Sequence, residues 1–319
     1  DIQCIFQNLA NVAKCFHTKL ITTHPIAKME QDNVIHIEFD EHHALEDAKR
    51  IVKLAIDNYE NRGAEVMIPK QKSPIVAGFG VESIEYHLGG TFRGSYYTLN
   101  DNIINGRIRG IGGVVGCNNA RTKHNEAHVQ IVKELIKNDV IVLTTGCNAI
   151  ACAMEGLLTP ETAAVFCGPG LAEVCETVGI PPVLHLGSCV DNSRILLAAT
   201  EVVNAGGLGK DISEQPAAGS APEWMSEKAI SIGHYFVASG VYTVFGVTLP
   251  VTGAPVFQKY LFEEIEKMYC GMWDLEIDPI KHAQKMIAHI DKKRQALGID
   301  RARERILVDM AARRDIEAA

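Results

Sequence analysis

The sequence predicts an α/β fold in which a parallel sheet is covered by helices on both faces. Short apolar runs with strand character alternate with segments of helical periodicity along most of the 319 residues, as expected when parallel strands are buried on both sides. Apolar residues form 47% of the chain, which is enough for a large core and excludes wholesale disorder. Because one core rarely serves a chain of this length, we expect two domains.

The first domain is predicted over residues 1–73. Residues 19–23 and 34–39 are β-like runs, and Asp40 is placed to cap a helix in which apolar residues recur at helical spacing. Two strands and two helices make an incomplete sheet, so we expect only part of a domain here. The Pro- and Gly-containing charged segment 62–74 is typical of a connector.

The second domain is predicted over residues 74–319, where strands and helices alternate. The predicted strands are 75–79, 111–115, 140–144, 182–186 and 241–247. The predicted helices include 127–137, 192–203 and 255–268, with a surface helix over 300–319. This order is typical of a complete parallel sheet.

Charge and hydropathy exclude several classes of function. The net charge of −8 argues against nucleic acid as a partner, since phosphate binding needs a basic face. No run of apolar residues is long enough to span a membrane, and nothing at the start resembles a signal peptide. We therefore expect a cytoplasmic protein. The chain opens on Asp1 without an initiator Met, so a fragment of a longer protein is expected.

Nine cysteines in such a chain predict reduced thiols rather than a disulfide framework. Cys117, Cys147 and Cys189 share one setting: each follows an apolar strand, has glycine one or two residues before it, and precedes a predicted helix. The carboxyl ends of parallel strands share one edge, where ligands bind. Three thiols delivered to that edge indicate an iron–sulfur or mixed-metal centre.

A second interpretation of these cysteines stays open at this point. A lone cysteine at a strand end is more often a buried apolar residue than a metal ligand, and the threefold repetition leaves the two interpretations about equal. Five further cysteines are interpreted as structural or inert: Cys152 and Cys175 as core residues within helices, Cys167 and Cys270 as inert residues near the surface, and Cys15 as a residue of a short helix without a ligand role. No histidine is assigned as a ligand; His185 is interpreted as a hydrogen-bonded residue at a strand end.

Four segments resemble the anaerobic nickel–iron carbon-monoxide dehydrogenases. They are residues 115–119 (VGCNN), 145–147 (TGC), 185–194 (HLGSCVDNSR) and 220–229 (SAPEWMSEKA), of which the last two are the most specific. Residues 1–5 are similar to a further ligand segment of that family. The resemblance implies Rossmann-like sheets, with a complete C-terminal domain preceded by part of a middle one.

The resemblance also implies a nickel–iron–sulfur cluster that interconverts CO and CO2 with water, protons and two electrons. Carried over by position, Cys4, Cys117 and Cys147 would hold irons, and Cys189 would hold the nickel. Lys228 would be the catalytic lysine, and Ile232, one turn beyond it, would shape the gas pocket. Helical spacing alone leaves open that Lys228 extends to solvent instead.

What else the family implies concerns partners and missing parts. A ferredoxin-like electron carrier and a homodimer are expected, and the attachment of an acetyl-CoA synthase subunit is left open. Further [4Fe-4S] clusters, and the His and Cys that bind the iron outside the cubane, are expected upstream, so the isolated chain is expected to be catalytically silent. Two alternatives are a hybrid-cluster hydroxylamine reductase and a non-catalytic structural subunit of the same fold.

Overall fold

The computed structural model describes residues 12–15, 18–23, 25–63, 68, 70, 72–90, 94–251 and 253–300. The chain divides into two compact units, Asp1–Lys72 and Ser73–Ala319. That the first is part of a middle domain, with its boundary at residue 73, stays a prediction.

The first unit contains a short parallel sheet and one long helix. Strands β1 (Leu20–Thr22) and β2 (Val34–His36) pair in parallel, close to where the sequence predicts strands. The carboxylate of Asp40 accepts a hydrogen bond from the backbone N–H of His42 at 2.9 Å. The chain then enters helix α1 (Ala44–Asp57), so Asp40 acts at the start of the helical segment as predicted.

The second unit is built on a six-stranded parallel sheet. Its strands are β3 (Gly110–Val114), β4 (Val140–Thr145), β5 (Val183–Gly187), β6 (Ala217–Ala221), β7 (Thr243–Phe245) and β8 (Trp273–Leu275). Their order is β5-β4-β3-β6-β7-β8, and every neighbouring pair is parallel. The chain moves outward from β3 to β5 and then returns to place β6 beside β3. Ligand crevices of open α/β sheets lie at the carboxyl ends where the strand order reverses in this way.

Helices cover both faces of this sheet, which confirms the predicted fold class. They are α2 (Val81–Leu88), α3 (Tyr97–Ile104), α4 (Glu126–Lys137), α5 (Gly146–Met154), α6 (Thr162–Phe166), α7 (Pro169–Val178), α8 (Asn192–Ala205), α9 (Glu227–Ala238), α10 (Pro255–Lys259), α11 (Ile265–Tyr269) and α12 (Pro279–Ala296). In β3, Gly112 faces Leu135 of α4, whereas Gly113 faces Ile195 of α8 and Phe236 of α9. Successive strand residues point to opposite faces, so α4 lies on one face and α8 and α9 on the other.

The ends of the helices follow from local sequence. The Asp278 carboxylate caps α12 by accepting hydrogen bonds from the N–H groups of Ile280 and Lys281. Pro279 occupies the first helical position, where no N–H donor is needed. Helix α7 ends at Gly179, whose φ of 71° is the left-handed conformation that glycine adopts without strain.

The prediction of a strand over residues 75–79 is wrong. The segment is irregular: Val76 donates its N–H to the Leu158 carbonyl, while Gly78 and Phe79 both donate to the His185 carbonyl. These donors reach two separate parts of the chain, so no continuous ladder can form. The apolar run alone therefore does not specify a strand here.

Two strands of the sheet are absent from the prediction, and one predicted helix is divided into three parts. Strand β6 reads AAGSA and lacks the β-branched residues that indicate strands, and β8 has only three residues. The helix predicted over 255–268 is α10, a π-helical turn and α11 in succession. Residues 301–319 of the predicted last helix lie outside the described residues.

Within the described ranges, no helix combines the length and apolar character needed to cross a membrane.

Candidate active site

Cys117 lies just beyond the carboxyl end of β3, with 5% of its surface exposed. Gly116 directly before it has a φ of 123°, which favours glycine and turns the chain at the strand end. Nε2 of the buried His128, on α4, donates a hydrogen bond to the Cys117 carbonyl oxygen at 2.7 Å. Burial lowers the pKa of His128 and so favours the neutral imidazole. The backbone of Cys117 is therefore held from the strand side and from α4.

Cys147 lies in the first turn of α5, directly after β4. Gly146 before it has a φ of 59°, and the N–H of Cys147 donates to the Gly116 carbonyl at 3.1 Å. A methyl group placed on Gly146 would overlap the Sγ of Cys189. The hydrogen bond therefore joins the loops after β3 and β4, and the contact between Gly146 and the Cys189 sulfur joins the loops after β4 and β5.

Cys189 follows β5 through a turn that a capping box fixes. Gly187 has a φ of 141°, and the N–H and hydroxyl of Ser188 both donate to the Asp191 carboxylate, at 2.7 and 3.1 Å. Arg194 pairs with Asp191 at 3.2 Å and donates to the Leu186 carbonyl. These contacts orient the loop that carries Cys189, which is 7% exposed.

The structure brings four of the predicted residues to one cavity. Cys117, Cys189, Lys228 and Ile232 all line it, together with residues of β3 and β6. These two strands flank the point where the strand order reverses, so the cavity lies where open α/β sheets bind ligands. Cys147 is not among the lining residues but adjoins them through its backbone, and Cys4 lies outside the described residues.

Lys228 and Ile232 project from α9 toward the same cavity. Lys228 is half-buried in the first turn of the helix, and Ile232 lies one turn later on the same side and packs against the core. Tyr235, the next residue at this spacing, is 48% exposed. The cavity wall therefore combines a lysine side chain with an apolar one.

Two buried polar residues of this region are missing from the sequence analysis. Asn192 lines the cavity and accepts a hydrogen bond from the hydroxyl of Thr145. Glu223 lies fully buried between the loop after β6 and the start of α4. Asn192 lies in segment 185–194 and Glu223 in segment 220–229, the two segments that most specifically resemble the family. Their positions in these segments could have identified them.

The cysteines interpreted as structural lie elsewhere in the fold. Cys152 in α5 and Cys175 in α7 have no exposed surface, and burial raises the pKa of Cys152 to about 12 and that of Cys175 further. Burial likewise raises the pKa of Cys167 to about 12. Such thiols stay protonated at neutral pH, whereas metal binding requires the thiolate.

His185 makes the strand-end contact that the sequence predicts. Its Nδ1 accepts a hydrogen bond from the N–H of Gly187 at 3.1 Å, and burial lowers its pKa. Across the described ranges, no three His, Cys, Asp or Glu side chains are arranged to hold a single metal ion. The thiolates of a cluster bind different metal atoms, so they need not converge on one point.

Comparison with known proteins identifies the family. Residues 1–280 match the model of the Prismane/CO dehydrogenase family. The chain belongs to this family. Carbon monoxide dehydrogenase 1 of Methanosarcina acetivorans is 51% identical over 300 residues, covering 94% of this chain and 46% of that protein. Carbon monoxide dehydrogenase 1 of Carboxydothermus hydrogenoformans is 40% identical and covers 94% of this chain and 48% of its own length.

Solved structures agree with this membership. A nickel-free crystal structure of carbon monoxide dehydrogenase from Thermococcus sp. AM4 is 51% identical, with a TM-score of 0.80 over 93% of this chain and 46% of its own. A structure of acetyl-CoA synthase/carbon monoxide dehydrogenase, which has nickel-containing [Fe4S4] clusters in its alpha subunits, is 34% identical with a TM-score of 0.81. The match covers 94% of this chain and 46% of the chain in that structure. The chain spans about half the length of the curated relatives it matches. None of these relatives favours the hydroxylamine reductase or the non-catalytic alternative.

The residues around the cavity suit the nickel–iron–sulfur cluster that the family implies. Cys117 and Cys189 present soft sulfur donors there, and soft thiolates are preferred ligands of iron–sulfur clusters. Gly146 provides the space in which the Cys189 sulfur lies, because any side chain would occupy it. Among the described residues that line the cavity there is no carboxylate, so its chemistry fits a thiolate-held group better than a Mg²⁺ or Ca²⁺ ion.

Proposed function

We propose that this chain carries the catalytic region of an anaerobic carbon-monoxide dehydrogenase. The reaction is CO + H2O → CO2 + 2 H⁺ + 2 e⁻, and it is reversible. The observation that supports this most is the shared cavity of Cys117, Cys189 and Lys228 at the point where the strand order reverses. Separate strands and helices deliver these residues to one place, where soft metal ligands and a cationic donor meet.

In this proposal, thiolates hold the cluster. Cys117 and Cys147 bind irons, together with Cys4 from outside the described residues, and Cys189 binds the nickel. When bound, the cluster supplies an electron-rich soft metal for CO and a store for two electrons. The glycine turns before the cysteines let the backbone approach a bulky group closely, and the contacts between their loops fix the spacing of the sulfurs.

Lys228 is the residue that acts on charge in this site. CO is nearly apolar, whereas the oxygens of the CO2 unit become negative as water adds and protons leave. An ammonium group at the cavity wall donates hydrogen bonds to those oxygens and stabilises the charge where it develops. Ile232 restricts the space beside it to a small molecule such as CO or CO2.

The proposal extends to partners and location. Electrons would leave through further [4Fe-4S] clusters to a ferredoxin-like carrier, and the complete protein would work as a cytoplasmic homodimer. An acetyl-CoA synthase subunit, named with one relative from Moorella thermoacetica, is a further candidate partner. The proposal includes neither a nucleic-acid partner nor a membrane span.

The test is CO-dependent reduction of a viologen dye by the complete protein, produced without oxygen and loaded with nickel and iron. We expect CO oxidation that requires nickel, and the same preparation made without nickel is the control. A nickel-loaded protein that is inert toward CO but reduces hydroxylamine would overturn the proposal in favour of the iron-only alternative.

A further inference from the structure

A buried carboxylate joins the loop that carries Cys117 to the loop that leads to Lys228. Glu223 has no exposed surface and lies directly after β6, five residues before Lys228 in the loop that leads to α9. Among the described residues, the buried His128 on α4 is an ionisable side chain beside it, with its Nε2 4.0 Å from Glu223 Oε2. A carboxylate without a cation in direct contact persists in a protein interior only where hydrogen bonds satisfy it.

Both carboxylate oxygens are used by the loop that begins at Cys117. Oε2 of Glu223 accepts from Nδ2 of Asn118 at 3.2 Å, and Oε1 accepts from the N–H of Ala127 at 3.2 Å. Ala127 lies in the first turn of α4, where unpaired N–H groups and the helix dipole favour an anion. Glu223 therefore contacts the loop after β3 next to Cys117 and again at its far end.

One further hydrogen bond joins the same two loops, and two others anchor them to the segment after β7 and to α4. Nδ2 of Asn119 donates to the Trp224 carbonyl at 2.7 Å, and Trp224 Nε1 in turn donates to the Val247 carbonyl at 2.7 Å. His128 donates to the Cys117 carbonyl at 2.7 Å. The residues adjacent to Cys117 thus pair with the residues that follow β6, one after another.

We infer that Glu223 is a positioning residue that fixes Cys117 relative to Lys228. The inference rests on the proposed function, since it gives the two residues a shared task. Cys117 lies on the loop after β3 and Lys228 in the first turn of α9, which follows β6, and the pairing of β3 with β6 sets only where these two segments start. Glu223 fixes the paths of the two segments relative to each other, because it connects the β3 loop to the backbone that leads into α9. A shift of the carboxylate moves the thiolate and the ammonium relative to each other without removing either.

The first test is Glu223→Gln in the complete, metal-loaded protein. The amide keeps the size, and its oxygen can still accept from Ala127, but its NH2 opposes the NH2 of Asn118. We expect near-normal iron and nickel content, an altered electron paramagnetic resonance signature of the cluster, and kcat about 10- to 100-fold lower, as for other supports of a metal site. Gln215→Ala, which removes a buried hydrogen bond at the other end of β6, is the control for stability alone.

A double variant tests the same contact with reversed polarity. In Glu223→Gln with Asn118→Asp, the glutamine NH2 donates to the new carboxylate, so the link between the loops is restored while the charge moves to the other loop. Asn118 also donates to Oδ1 of Asn125 at 2.8 Å, so the Asn125 amide has to turn over and donate its NH2 to the new carboxylate. We expect the spectrum and kcat to return toward those of the wild type. If Glu223→Gln alone proves unstable, this variant still decides the matter.

The outcomes separate the inference from the proposed function. Wild-type protein without nickel-dependent CO oxidation refutes the proposed function and leaves Glu223 no such task. Active wild-type protein whose Glu223→Gln variant has an unchanged spectrum and kcat, even with stability lowered as in Gln215→Ala, overturns the inference alone. A double variant that regains stability but neither spectrum nor kcat also overturns it.

Discussion

The carboxyl edge of the six-stranded sheet and the packed interior of the same unit use cysteine in opposite ways. At the edge, Cys117 and Cys189 follow glycine turns and line a shared cavity. In the interior, Cys152 and Cys175 are fully buried within helices, and burial raises the pKa of their thiols. Cysteines of both groups are almost wholly buried, so the glycine turn before the cysteine and the cavity beside it, rather than burial by itself, distinguish the two groups.

The largest effect expected from this comparison is on metal content. Cys189→Ala in the complete protein should lose nearly all nickel, because a soft thiolate is removed from the cluster. Cys175→Ala should keep full metal content and lose about 1–3 kcal/mol of stability, as for other buried truncations. Elemental analysis and urea unfolding of both variants measure this. Equal nickel content in the two variants would remove the functional distinction between edge and interior.

The next effect concerns Lys228 at the edge. Lys228→Ala should retain metal but lower turnover by on the order of 10²-fold, since a donor to the developing negative charge is lost. Lys228→Arg should recover little activity, because a planar guanidinium does not reproduce a compact charge in a small cavity. Lys137→Ala, on the exposed end of α4, is the control. Undiminished turnover in Lys228→Ala would instead mean that this side chain only extends to solvent.

A smaller effect separates two glycines near the ends of helix α5. Gly146 and Gly156 have φ values of 59° and 71°, so alanine is strained at either position. A methyl group on Gly146 would overlap the sulfur of Cys189, whereas nothing lies within 4 Å of one on Gly156. We expect Gly156→Ala to cost about 1 kcal/mol and Gly146→Ala about 3 kcal/mol, because overpacking adds to the backbone strain.

Metal analysis of the two glycine variants completes this test. Nickel content should fall in Gly146→Ala and stay normal in Gly156→Ala, since only the first displaces a proposed ligand. If both variants lost equal free energies of unfolding and equal fractions of nickel, the contact between Gly146 and the Cys189 sulfur would have no special role.

The sequence predicts the parts of the site that depend on neighbouring residues. A strand, a glycine turn and a cysteine follow one another within a few positions, and parallel strands end at a common edge, so the meeting of Cys117 and Cys189 can be anticipated. Their roles as ligands stay predictions. Contacts between distant segments are beyond such reasoning: Glu223 and Ala127 are 96 positions apart, and no local pattern pairs them.

The same limit explains the errors in the fold. Strand β6 consists of small residues, yet it occupies the centre of the sheet because β3 and β7 offer it hydrogen bonds on both sides. Residues 75–79 have a better strand pattern, but their donors reach Leu158 and His185 instead of a neighbouring strand. Pairing partners, which the sequence does not display, decide both cases.

The smallest effect tests the interior side of the comparison through a buried histidine. His282 on α12 has no exposed surface, and its Nε2 accepts a hydrogen bond from the Ser220 hydroxyl at 2.7 Å. Its Nδ1 donates to the Glu276 carbonyl at 3.0 Å. Both contacts suit the neutral imidazole, and burial lowers the pKa of His282 to about 4. Ser220 also lines the cavity, but none of the proposed metal ligands is proposed to depend on the charge of His282.

Stability should therefore fall as the pH is lowered from about 6.5 to about 4, because the unfolded chain takes up a proton on this histidine in that range and the folded chain does not. The contribution of the neutral His282 to the free energy of unfolding is fully present above pH 6.5, the pKa in the unfolded chain, and amounts to roughly 3 kcal/mol at most. His282→Gln can keep both hydrogen bonds without titrating, so its urea midpoint should depend less on pH across this range, with nickel content unchanged. His42→Gln, at an exposed position of the first unit, should reproduce the wild-type profile. Parallel pH profiles for wild type and His282→Gln would mean that the folded protein admits the proton after all. The packed interior would then allow this buried histidine to ionise.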